Sequence, residues 1–116
     1  MAVRRMISRE VICSDAFVEM SFVSQALYYQ MLINADDDGF VSNPKQITRS
    51  IGATEEAMQE LMSNNFIIQF KTGIIVLKHW LSQNKVQADR YKPTKFMAER
   101  EQLSVNGAKE YFFDDK

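Results

Sequence analysis

Asp36-Asp37-Asp38-Gly39 is the densest carboxylate group in the sequence, and close-set carboxylates are the raw material of calcium loops and acid–base pairs. A calcium loop needs ligands at alternating positions and a distant bidentate glutamate. Phe40-Val41-Ser42-Asn43 does not supply them. The expected role is therefore a sharp turn leaving a helix, with aspartates accepting from free backbone N–H groups. His79 is the only histidine and Cys13 the only cysteine, with no partner at metal-ligand spacing. A glycine-rich phosphate loop and a nucleophile elbow are absent too. These residues predict a protein without catalytic activity, metal or cofactor. The lone cysteine forms no intramolecular disulfide, suits a reducing cytoplasm and is expected to be buried or half-buried.

The second chemical resource is positive charge. The formal net charge is only −1, but it is unevenly distributed. Residues 1–66 carry a balance of −4, whereas Lys71, Lys78, Lys85, Arg90, Lys92 and Lys95 face Asp89 alone and give residues 71–95 a balance of +5. A contiguous basic stretch in a nearly neutral chain is suited to a local polyanion. Arg4, Arg5 and Arg9 make a basic N-terminal arm, and Lys45 and Arg49 lie four residues apart. With Tyr91 among them, these cations predict contact with a phosphate backbone, or with single strands stacked on Tyr91 or Trp80. Trp80 packing beneath the hairpin is the plainer alternative, and for Tyr91 anchoring of the tail stands equally open.

Positioning these residues falls to one small domain: 116 residues, 46% apolar and 11% aromatic, suffice for a single core. No apolar run approaches the roughly 20 residues of a membrane span, and no secretory signal follows the N-terminal arginines. Arg5 to Ser8 reads as an edge strand, and Ser14 as the cap of a short helix with Phe17, Val18 and Met20. Ser21 caps a helix to about Asn34 that buries Val23, Ala26, Leu27, Met31 and Tyr28. Asn43 caps the next helix, with Pro44 in its first turn and Gln46 completing a capping box. Gly52 ends it. Thr54 caps a third helix with stripe Ala57, Met58, Leu61, Met62 and Phe66. Phe66 to Trp80 is a β-hairpin turning at Lys71-Thr72-Gly73. Leu81 to Lys92 reads as a loop, Lys95 to Leu103 as a helix, and Tyr111-Phe112-Phe113 as an apolar cluster that docks or meets a partner.

Two short helices joined by a glycine turn and closed by a hairpin outline an α+β winged helix-turn-helix. It spans residues 1–81 with an N-terminal arm; residues 82–116 form a basic linker and a C-terminal helical tail. The outward face of the third helix is Glu55, Glu56, Gln59, Glu60, Ser63 and Asn64. Phosphate would repel a face this acidic, so ordinary groove reading by this helix is not expected. Glu55, Glu56 and Glu60, with Tyr111, Phe112 and Phe113, are instead assigned to protein contact. Arg4, Arg5, Lys45, Arg49, Lys71, Lys78, Lys85, Arg90, Tyr91, Lys92 and Lys95 are assigned to DNA.

A set of short motifs runs along the chain in order: Arg4-Arg5-Met6-Ile7-Ser8, Gln25-Ala26-Leu27-Tyr28, Ala35 to Val41, Asn43-Pro44-Lys45, Ile51-Gly52, Lys78-His79-Trp80 and Arg90 to Thr94. Over residues 1–98 the chain resembles the N-terminal domain of phage replisome-organiser proteins, DnaD-like initiation proteins of phages and prophages of Gram-positive bacteria. The resemblance implies a winged helix acting in DNA replication initiation in the host cytoplasm. It implies binding at an origin, recruitment of helicase or helicase-loader machinery, and self-association into a homo-oligomer. The second domain of fuller relatives is not matched, and two alternatives remain. One is an assembly module without DNA contact; the other is a winged-helix transcriptional regulator.

Overall fold

A computed structural model describes residues 5–84 and 88–114. Arg4 and Lys85, both assigned to DNA above, lie outside the described residues. The fold is mixed helix and sheet, of the α+β class. Two single turns, α1 (Arg9–Ile12) and α2 (Asp15–Val18), precede the long helix α3 (Phe22–Asn34). A two-residue strand β1 (Phe40–Val41) leads into α4 (Pro44–Ser50) and α5 (Glu55–Ser63). The hairpin β2 (Ile67–Gln69) and β3 (Ile75–Leu77) follows. The three strands form one antiparallel sheet in the order β1-β3-β2.

Local signals set most of these boundaries. Ser14, Ser21 and Thr54 each accept a backbone N–H at a helix start, where free donors need a partner. Pro44 opens α4 as expected, but Asn43 does not cap it; its amide instead donates to Gln46 Oε1 at 3.4 Å. The hairpin closes through Phe70 N–H to the Ile74 carbonyl at 2.9 Å, with Gly73 at φ +90°. All three residues of β3 are buried, so this central strand is a continuous apolar run rather than an alternating one.

The core joins two aromatic groups. Phe17, Tyr28 and Phe66 meet edge to face with centroids 5.4–5.8 Å apart. Phe40 stacks on Phe70 at 6.0 Å and leans on Tyr111 at 6.2 Å. In α3 the buried stripe is Ser24, Leu27, Tyr28, Met31 and Leu32; Val23 and Ala26 are exposed, contrary to the periodicity reading.

The two ends of the chain depart furthest from expectation. Residues 5–8 form no strand. The side chains of Gln83 and Asn84 take the place of a pairing partner: Gln83 Oε1 accepts from Ser8 N–H, and Asn84 both accepts from and donates to the Met6 backbone. Gln83 ends a short helix, α6 (Trp80–Gln83), at the start of the stretch read as loop, and Asn84 follows it. The expected Lys95–Leu103 helix shrinks to α7 (Met97–Arg100). Leu103 instead belongs to β4 (Leu103–Val105), which pairs with β5 (Tyr111–Phe113) in a second hairpin, so the tail is not simply helical. Asn106 builds that turn by accepting from Ala108 and Glu110 N–H. Tyr111 docks fully while Phe112 and Phe113 stay exposed, and Cys13 is exposed rather than buried.

Candidate functional site

The aspartate turn is more than a local bend. Asp36 does what a turn requires, accepting from Asp38 and Phe40 N–H at 2.9 and 3.0 Å. Asp37 and Asp38 are buried and point away from the turn toward distant chain. Asp37 pairs with the Arg5 guanidinium at 3.0 Å and accepts from Lys92 N–H at 3.0 Å. Asp38 accepts from the Tyr91 hydroxyl at 2.7 Å and from Thr94 N–H at 2.8 Å. The carbonyls of the same two residues accept from Trp80 Nε1 and the Tyr111 hydroxyl. One turn thus fixes the N-terminal arm, the end of the hairpin, the basic segment and the C-terminal strand.

This network redistributes the residues assigned to DNA. Arg5 is held against Asp37, donates to the Ala35 carbonyl at 2.7 Å and lies 5.2 Å from the Trp80 ring centroid; it offers no free guanidinium to a phosphate. Trp80 is wholly buried and unavailable for base stacking. Tyr91 is partly exposed, but its hydroxyl is bound by Asp38. Desolvation and that bond push its pKa up to about 12, so it stays a protonated donor. Lys78 donates to the Tyr111 carbonyl at 3.0 Å and lines a cleft beside His79.

The remaining cations are brought together. Lys45 and Arg49 project from α4 into clefts shared with the hairpin turn at Thr72 and Gly73. Lys92 and Lys95 line a cleft with Asn34, Phe40 and Phe96. Ser42 lines both this cleft and that of Lys45 and Arg49, so the two adjoin. Among the described residues, none of these four cations is in an ion pair. Lys71 is exposed at the turn and Arg90 on the surface. Thr72 donates to Glu99 at 2.8 Å, tying the turn to α7. Ser42 and Thr72 were not singled out from sequence, since a lone hydroxyl in a loop carries no signal.

The acidic residues also divide. Glu55 and Glu56 are exposed, and Glu55 lines the cleft of Lys45 and Arg49. Glu60 turns back to α3, where it accepts from Ser21 N–H at 3.1 Å and from the Ser21 and Ser24 hydroxyls. Those bonds all fall on Oε1 and lower its pKa, so the carboxylate stays charged but is tied to α3 rather than projecting freely outward.

His79 lies beside Glu110 at 3.2 Å, its Nδ1 buried without a partner among the described residues. Burial lowers its pKa below 6.5 and outweighs the attraction of Glu110. The neutral ring therefore donates Nε2–H to the carboxylate. A depressed histidine pKa means that the unfolded chain binds more protons than the folded one just below pH 6.5. Stability is thus expected to fall as pH drops through that window. His79→Gln should flatten this part of a urea-midpoint against pH curve, and an unchanged slope would assign the effect elsewhere.

No protein-family model, curated protein or solved structure matches the chain. Among the described residues, no cluster of His, Cys, Asp and Glu suited to a metal is found, and no helix is long and apolar enough to cross a membrane.

Proposed function

We propose that this domain is a winged helix that binds nucleic acid by its phosphate backbone, along the adjoining clefts of Lys45, Arg49, Lys92 and Lys95. The observation that carries this reading is the convergence itself. Two pairs of cations more than 40 residues apart in sequence line clefts that meet at Ser42; Asp36 also lines the Lys92 and Lys95 cleft, but among the described residues none of the four cations is in an ion pair. The order α3, β1, α4, α5, β2, β3 with a three-stranded antiparallel sheet supports the winged-helix reading. In this arrangement α4 and the hairpin turn face the strand, and Glu55, which lines the neighbouring cleft of Lys45 and Arg49, joins Glu56 in keeping phosphate away from the start of α5. The resemblance of the ordered motifs to those of replisome-organiser proteins supports a role at a replication origin, where the bound domain would help recruit helicase machinery.

Reversing charge in pairs tests the binding step. Lys45→Glu with Arg49→Glu, and separately Lys92→Glu with Lys95→Glu, should each weaken binding to duplex or single-stranded DNA at least about tenfold. Each pair should flatten the salt dependence by about 2 in log–log slope. Fluorescence anisotropy across a salt series reads both. Wild-type affinity in both variants, or binding that ignores salt, would remove the proposal.

A further inference from the structure

A cleft built only for phosphate would hold no carboxylate, yet half-buried Asp36 lines that of Lys92 and Lys95, together with Asn34. Asp36 Oδ1 accepts from Asp38 and Phe40 N–H, which fixes the carboxylate; among the described residues no donor reaches Oδ2. The Asn34 amide donates to the Gln30 carbonyl at 2.7 Å, leaving its oxygen as a second acceptor. Phe40, Pro93 and Phe96 give the cavity, about 260 Å³ in volume, an apolar lining. Lys95 Nζ stands 5.5 Å from the Phe96 ring centroid, so cation and aromatic ring are presented together. The lining is preformed, because Lys92 and Thr94 N–H are bonded to Asp37 and Asp38 on either side of Pro93.

We propose that this cleft binds one unpaired guanine nucleotide, its base against the apolar lining and its phosphate on Lys92 and Lys95. Aromatic rings, acceptors lacking donors and a pair of exposed cations complement a whole nucleotide, not a phosphate alone. Asp36 Oδ2 and the Asn34 oxygen select the base. Guanine sets two donors, N1–H and the N2 amino group, side by side on its pairing edge. Thymine offers one N–H between two carbonyl oxygens, which a carboxylate repels. Adenine and cytosine each present a single amino group beside a ring acceptor. In a duplex that edge is already paired and the ring is stacked, so the guanine must be single-stranded or flipped out. The inference rests on the nucleic-acid reading above and extends it to strandedness and base. A strand and a free guanine nucleotide share this chemistry, and competition separates them.

Fluorescence anisotropy on the full chain compares a thymidine oligonucleotide of about 12 residues with the same strand carrying one central guanine or inosine. The guanine strand should bind at least about tenfold tighter than plain thymidine, with inosine, which lacks the N2 amino group, between them. When each strand is paired with its complement the difference should vanish. Asp36→Asn keeps the oxygen that accepts from Asp38 and Phe40 N–H but turns the other into a donor. It should therefore lose the guanine preference, read as the ratio of the two affinities, with circular dichroism confirming the fold. Displacement of the guanine strand by equimolar deoxyguanosine monophosphate would assign the cleft to the free nucleotide; no displacement assigns it to the strand. Equal affinity for all three strands, or a preference that survives Asp36→Asn, would overturn the proposal and leave the phosphate reading standing. Failure of every strand to bind would remove the phosphate reading. Calorimetry with the guanine and thymine monophosphates then decides the cleft alone, a guanine preference upholding it and equal or no binding overturning it.

Discussion

Asp37→Ala is expected to cost about 3–5 kcal/mol of folding stability, the range for removing one member of a buried ion pair. The Arg5 guanidinium would remain between Ala35 and Trp80 with its charge uncompensated, and Lys92 N–H would lose its acceptor. Asp37→Asn keeps an acceptor while removing the charge, and should lie between wild type and alanine. Arg5→Met combined with Asp37→Ala should recover part of the loss, because the stranded charge is then gone. Urea unfolding of wild type, the two single variants and the double variant measures the coupling. Strict additivity of Arg5→Met and Asp37→Ala would mean that the pair does not act as a pair. The consequence reaches the cation-lined clefts, since Asp37 and Asp38 hold the segment that carries Lys92 and leads to Lys95.

Gly39→Ala is expected to be nearly as damaging. Gly39 sits at φ +89°, and an added Cβ would lie 2.5 Å from Trp80 Cγ and 2.6 Å from Trp80 Cβ. The indole has little freedom to yield, because its Nε1 is bonded to the Asp37 carbonyl at 2.9 Å. Left-handed backbone strain of about 1–2 kcal/mol adds to about 1–3 kcal/mol of overpacking, for a total of about 2–5 kcal/mol. Gly73→Ala is the matched control: its φ is +90°, but nothing lies within 4 Å of the added atom. It should show the backbone cost alone. Equal losses at the two glycines would mean that close approach to Trp80 is unimportant.

Asp36-Asp37-Asp38-Gly39 also marks where sequence reasoning stops. A carboxylate beside a helix end predicts a turn whatever else it binds, and Asp36 meets that prediction in full. Nothing local distinguishes Asp37 or Asp38 from Asp36. Their partners lie 32 to 56 residues away and include backbone N–H groups, which leave no trace in residue type. The same reason hid the docking of residues 5–8 on Gln83 and Asn84, and the second hairpin, whose three-residue strands are too short for a period.

The sequence by itself determined what nearest neighbours determine. The caps at Ser14, Ser21 and Thr54, the start at Pro44, the turns at Gly52 and Gly73, and the acidic start of α5 all follow from interactions within a few residues. Only the tertiary structure decided which charges remain available. It buried Arg5 against Asp37, drew Glu60 back onto Ser21 and Ser24, and set Lys92 and Lys95 beside Lys45 and Arg49 across Ser42. A side chain's charge is written in the sequence. Whether that charge faces solvent or a buried partner depends on long-range packing, because the free energy of an ion is set by the groups the whole fold brings around it.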